Sequence, residues 1–146
     1  MNHSTLKLSK LLSLQVPYPF IINCIGVSWN VDKLTGGLGV TVFVCLQQEN
    51  ELKRFTPYKE IASTKRKEKF GKEPLFINEP IPDNYVTSDE RITALIETIV
   101  QLVHQKELIY IHCWGGHGRT GTVVACLLGN LSLSLSLSLS LSLSLS

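Results

Sequence analysis

The stretch from Leu108 to Leu128 limits the fold more than any other part of the chain. Leu108-Ile109-Tyr110-Ile111-His112 is a short β-branched run fit for a central strand. His112 to Gly121 reads HCWGGHGRTG, with glycines at 115, 116 and 118. Thr120 to Leu128 then sets Val123, Val124, Cys126, Leu127 and Leu128 in the manner of a largely buried helix. A strand that passes through glycines straight into a helix is the unit of an α/β fold, because such a helix must pack back on the sheet its strand belongs to.

The upstream chain fits that class. Phe20 to Val27 and Gly39 to Leu46 are apolar runs rich in Ile and Val, predicted as buried strands, with Gly36, Gly37 and Gly39 marking a loop before the second. Lys53 to Lys72 carries eight basic residues against Glu60 and Glu68 and is expected to be a solvated loop or short helix. Leu75 to Ile77 reads as a short strand, and the prolines of INEPIPDN force an extended, turn-like path after it. Thr87-Ser88-Asp89-Glu90 has the form of a capping box, and Ile92, Leu95, Ile96, Ile99, Leu102 and Val103 repeat at three and four, which predicts a helix down to about His104.

Length allows one domain of 146 residues, and 14 basic against 12 acidic residues leave a formal charge of +2, without the basic excess of a dedicated nucleic-acid binder. Residues 131–146 are eight Leu-Ser pairs, the pattern that a CT dinucleotide repeat read in triplets would encode, and they account for the positive mean hydropathy of +0.15. Their strict alternation has the period of a strand, and a serine at every second position argues against a membrane span. The expected organisation is a poorly defined segment at 1–19, a domain at 20–130 and a low-complexity tail at 131–146. Lys7 and Lys10 before Leu11, Leu12 and Leu14 mimic the start of a secretion signal, but Ser13, Gln15, Pro17 and Pro19 break the run. The cysteines at 24, 45, 113 and 126 form no CxxC pair, so free thiols in a reducing compartment, cytoplasm or nucleus, are expected.

Chemistry concentrates in the glycine-rich loop. Cys113 and Arg119 are separated by five residues, and Gly115, Gly116 and Gly118 remove Cβ atoms that would hinder a loop from wrapping its N–H groups around a tetrahedral anion. The following helix adds its N-terminal amides, and Arg119 a planar fork for two phosphate oxygens. A thiol facing these donors is expected as the thiolate, its nucleophilic form. Attack on phosphorus expels an oxygen that leaves more easily when protonated. Asp83, thirty residues before Cys113, is the candidate acid, with Asp89 as a rival already explained as a helix-start residue. The Thr120 hydroxyl is placed to help the sulfur leave in a second, hydrolytic step.

This wording, HCxxGxxRT preceded by PIPD, resembles the cysteine-dependent protein tyrosine phosphatases, and within them the dual-specificity-like branch near the cyclin-dependent kinase inhibitor-associated phosphatase. The resemblance is strong from about Pro80 to Gly129 and weaker from Gly39 to Leu52. It implies an α/β fold, a phosphatase-like central sheet flanked by helices, here C-terminally truncated because such proteins continue past the loop with further helices. It also implies a phosphate-monoester hydrolase working through a phosphocysteine, with Cys113 as nucleophile, Arg119 as phosphate ligand, Asp83 as acid then base and Thr120 assisting. Trp114, Gly115, Gly116, His117, Gly118 and Arg119 would line the phosphate site. Neither cofactor nor metal is implied, and the partners are a phosphorylated protein or another phosphate ester.

Other readings stay open at this stage. A catalytically dead phosphate-binding module would keep Arg119 and the cradle, a misfolded fragment would keep neither, and a sulfurtransferase would have no use for the PIPD acid. A zinc site at His112, Cys113 and His117 lacks a second ligand pair. His112 is expected neutral and satisfied by backbone. Cys24, Cys45 and Cys126 are expected as small core hydrophobes, and Trp114 either flanks the pocket or packs.

Overall fold

The computed structural model describes residues 20–22, 30–54, 57–114 and 118–144. Four strands, β1 (Phe20–Ile22), β2 (Val42–Cys45), β3 (Leu75–Asn78) and β4 (Ile109–His112), form one parallel sheet in the order β1-β4-β2-β3. The two central strands, β2 and β4, are buried at every position. Both faces of a parallel sheet are covered, so VFVC and IYIH are continuous apolar runs and not alternating ones. The edge strand β3 is only half covered.

Alternation along the central strands sorts the side chains into two layers. Val42, Val44 and Leu46 of the β2 segment and Ile109, Ile111 and Cys113 of the β4 segment face α3 (Asp89–His104) and α4 (Gly118–Ser144), packing on Leu95, Ile96, Ile99, Val103, Val123 and Leu127. Phe43 and Tyr110 face the other way, toward Leu34 and Val40 from the segment before β2 and toward Ala62 of α2 (Lys59–Phe70). The Lys-rich segment is therefore a 12-residue helix. It is held by more than hydration: the Arg66 guanidinium donates to the carbonyls of Gly39 and Val40 at 3.2 and 3.3 Å, which ties α2 to the entry of β2. Gly71 ends α2 at φ +71°, a left-handed cap that a side chain would resist.

Two sequence expectations shift in detail. The N-cap of α3 is Ser88 and not Thr87: Ser88 has the extended backbone, and its hydroxyl accepts from the Arg91 amide at 3.4 Å. Cys126 is exposed and no core residue: the buried positions described in α4 are Arg119, Thr120, Val123, Val124, Leu127 and Leu131, and residue 126 falls outside the apolar stripe of Val123, Val124, Leu127 and Leu131. Cys45 is buried as expected, and Cys24 lies outside the described residues. The short helix α1 (Glu49–Leu52), capped by a reciprocal box between Gln48 and Glu51, has no counterpart in the sequence expectations.

The largest difference is the tail. The Leu-Ser tract has the period of a strand, yet α4 runs unbroken through it to Ser144. A helix already nucleated by the packed residues before Asn130 extends at the cost of one residue per hydrogen bond, and leucine is a strong helix former. Serines adapt by bonding back: Ser134 and Ser136 donate to the carbonyls of Leu131 and Leu133 at 2.8 and 2.9 Å. Leu131 is 1% exposed and belongs to the core, whereas Leu133 is 66% exposed. No helix of the described residues is long and apolar enough to cross a membrane.

Leu131→Ala is expected to lower the free energy of unfolding by about 2–4 kcal/mol, while Leu133→Ala stays within about 0.5 kcal/mol of the parent. Urea unfolding of the two variants measures the difference, and equal effects would show that the first residue of the repeat is not part of the core.

Candidate active site

Cys113 follows β4 directly, at the carboxyl edge of the sheet where ligand crevices of parallel sheets form. It is buried, and its side of the sheet is that of α3 and α4. Together with Asp83, Asn84, Tyr85, Val86, Trp114, Gly118, Arg119 and Thr122 it lines a cleft of about 560 Å³. Of the residues predicted from the sequence, the fold thus brings Cys113, Trp114, Gly118, Arg119 and Asp83 to one place. Gly115, Gly116 and His117 lie outside the described residues. Gly118 opens α4 with no positive φ, and a Cβ there would meet nothing within 4 Å. Its glycine is therefore not demanded by the backbone, contrary to the expectation that all three glycines relieve hindrance.

Arg119 is the most constrained side chain of the site, 4% exposed and bound on two edges. Its Nη1 and Nη2 donate to Glu51 Oε2 and Oε1 at 2.7 and 2.8 Å, a bidentate fork. Nη1 also donates to the Ile81 carbonyl at 3.0 Å, and Nη2 lies 3.2 Å from Asp83 Oδ1. The Arg119 hydrogen bonds hold the Glu51 carboxyl below the usual carboxylate range, and Glu51 in turn raises the Arg119 guanidinium further above its ordinary value. Glu51 is the residue that sequence reasoning missed. The only signal was local: a Gln-x-x-Glu capping-box pattern at 48–51, which fixes a helix start but says nothing of a partner 68 residues away.

The PIPDN segment reaches the cleft in two steps. Ile81 is buried in the core, its amide donates to the Leu46 carbonyl at 3.1 Å, and its own carbonyl meets Arg119. The chain then turns: the Tyr85 amide donates to the Pro82 carbonyl at 3.1 Å, with Asn84 at φ +62°, a left-handed position that asparagine tolerates better than most residues. This turn presents Asp83, 61% exposed, over the cleft. Asp89 is the first residue of α3 and does not line the cleft.

Thr120 is fully buried, and its Oγ1 has no hydrogen-bond partner among the described residues. His112 points to the face of the sheet opposite Cys113, which separates two members of the zinc reading. The partner shown for it is a side chain: Nε2 lies 2.9 Å from the Tyr58 hydroxyl. Burial first, and the Lys59 charge second, pull the His112 pKa down to about 4, so the ring is neutral near pH 7. Trp114 flanks the cleft, 52% exposed.

A cysteine at the end of a central parallel strand, an arginine in the first turn of the next helix and an aspartate brought over both from an upstream loop define a cysteine-loop phosphatase class of α/β domain. The chain belongs to the family described as PTP-SAK, the Swiss Army Knife protein DSP-PTPase phosphatase domain, which it matches over residues 13–140. It is 35% identical over 109 residues to "Putative tyrosine phosphatase 197R" of Invertebrate iridescent virus 6, covering 75% of this chain and 34% of that protein. To "Putative tyrosine phosphatase 067L" of Invertebrate iridescent virus 3 it is 33% identical over 105 residues, covering 69% and 39%. The chain thus spans little more than a third of the length of these curated relatives. Among solved structures it is similar to kinase associated phosphatase (KAP), with a TM-score of 0.56, 20% identity and coverage of 69% of this chain and 53% of that one. It is also similar to the active form of Tk-PTP, with a TM-score of 0.54, 25% identity and coverage of 75% and 65%. The α/β fold with a parallel sheet flanked by helices is the fold of these phosphatases.

Two outcomes follow from the buried charges. Glu51→Ala leaves the Arg119 guanidinium buried without its fork partner and is expected to cost about 3–5 kcal/mol of stability, far more than Glu49→Ala on the same helix; denaturant unfolding compares them. The second concerns His112, whose folded pKa of about 4 lies below the ordinary 6.5. Its contribution to stability is complete above pH 6.5 and is lost as the pH falls toward 4, on the order of 3 kcal/mol in all. His112→Gln, scanned by thermal melting over the same range, should show a flatter decline than the parent.

Proposed function

We propose that this domain is a phosphate-monoester hydrolase of the protein tyrosine or dual-specificity phosphatase type, acting through a phosphocysteine on phosphorylated protein. The observation that carries the reading is the shared cleft of Cys113, Arg119 and Asp83, with Arg119 locked in place from behind. Of its five N–H donors, two engage Glu51 and one the Ile81 carbonyl. That leaves Nε–H and the Nη2 edge that faces Asp83 for two oxygens of a phosphate. An arriving dianion competes with Asp83 for that edge and frees the carboxyl to turn toward the leaving oxygen.

In the first step the Cys113 sulfur forms a bond to phosphorus as the ester oxygen departs, taking its proton from the Asp83 carboxyl. In the second, Asp83 as carboxylate accepts a proton from water, the water oxygen bonds to phosphorus, and the S–P bond breaks to release inorganic phosphate. Thr120 supports this step: a buried hydroxyl with no other partner among the described residues is suited to donate to the departing sulfur. Curated relatives named as tyrosine phosphatases support the reaction class.

The purified domain should hydrolyse an aryl phosphate without added metal and in the presence of EDTA, and Cys113→Ser should abolish turnover. Turnover that survives the substitution refutes the phosphocysteine. Asp83→Asn should slow hydrolysis by about 100-fold or more, with Asp89→Ala close to the parent; the reverse ranking would move the acid to residue 89.

A further inference from the structure

Arg54 stands where a second contact to substrate would be made. The Arg54 amide donates to the Glu51 carbonyl at 3.1 Å, which closes the turn after α1. Because Glu51 is fixed to Arg119, the backbone of residue 54 belongs to the same rigid frame as the phosphate-facing guanidinium. The Arg54 side chain is exposed, and its guanidinium carbon sits 6.0 Å from the centroid of the Trp114 ring. Trp114 immediately follows Cys113 and forms part of the cleft wall. Stacking on an aromatic face orients a guanidinium without consuming its N–H groups, which leaves the fork available to a planar anion. The Arg54 charge reaches inward as well, as one of the smaller influences that lower the Glu51 carboxyl.

The other rim of the cleft has a different character. Tyr85 and Val86 are 72% and 74% exposed and uncharged, and Asp83 beside them brings a carboxyl and no cation. A substrate segment laid across the mouth therefore meets a cation beside Trp114 and none at Asp83, Asn84, Tyr85 or Val86. This polarity favours one orientation of an acidic segment.

We propose that Arg54, stacked on Trp114, is a specificity residue that selects phosphopeptides carrying a carboxylate next to the phosphorylated residue. The assignment rests on the phosphatase reading above and names the substrate class of that same site. The test uses two phosphotyrosine peptides that differ only in Asp or Asn beside the phosphotyrosine, with the ratio of kcat/KM taken within each enzyme so that changes in overall rate cancel. For the parent chain the Asp peptide should be favoured about three- to fivefold at low salt, with the ratio shrinking as ionic strength rises. Arg54→Gln should bring the ratio to about one, and Arg54→Glu should invert it in favour of Asn. A parent ratio of one, or a ratio unchanged in Arg54→Gln, overturns the assignment. Should the parent fail to hydrolyse even a small aryl phosphate, the phosphatase reading falls on its own. The ratio of the dissociation constants of the same two peptides for the parent and for Arg54→Gln then decides the Arg54 assignment separately, by the same criteria.

Discussion

A guanidinium removed from water is costly to keep charged, and the site is organised around answering that cost at Arg119. Glu51 supplies two carboxylate oxygens and Ile81 a carbonyl, so that three separate segments, α1, the loop after β3 and the start of α4, converge on one side chain. Each segment is anchored independently: α1 by its capping box, Ile81 by burial and a bond to Leu46, α4 by Val123, Val124 and Leu127 in the core. The anion-facing edge of Arg119 is consequently set by the sheet and not by the mobility of a long side chain. Preorganisation of this kind is what a reaction dominated by charge on phosphoryl oxygens requires.

The alternation of β4 divides labour between consecutive residues. Cys113 and His112 leave the strand on opposite faces, one toward the cleft, the other into an aromatic layer where Tyr58 lies 5.3 Å from its ring and Phe43 lies 5.6 Å from Tyr58. The neutral imidazole bonded to Tyr58 fixes the end of the strand from behind. Burial also pushes the Tyr58 phenol and the Cys45 thiol upward, so this layer carries polar atoms without net charge, in keeping with an interior that tolerates hydrogen-bonded polar groups but not lone ions.

Much of this was written in local sequence. The strands at β2, β3 and β4, the helix from the capping box and the strand–loop–helix unit around Cys113 all follow from short-range period and turn chemistry, because their faces are set by neighbours two, three or four residues away. The cluster of Cys113, Asp83 and Arg119 was legible through motif spacing. Glu51 was not, since nothing in QQENEL distinguishes a carboxylate that will meet an arginine across the fold from one that faces water. The Thr87 and Ser88 ambiguity is of the same origin: adjacent hydroxyls are equally good caps until the chain direction is known. The Leu-Ser tract was read as a low-complexity tail with no element assigned to it, because its pattern of two has no helical period; a preceding helix with a packed face carries its geometry forward regardless of pattern.

That continuation has an outcome for how the repeat can vary. Each Leu-Ser pair advances a helix by about 3 Å and turns it by about 200°. Leu131 packs in the core and Leu133 is exposed, so the number of pairs that follow sets the length of α4 and the direction in which it ends.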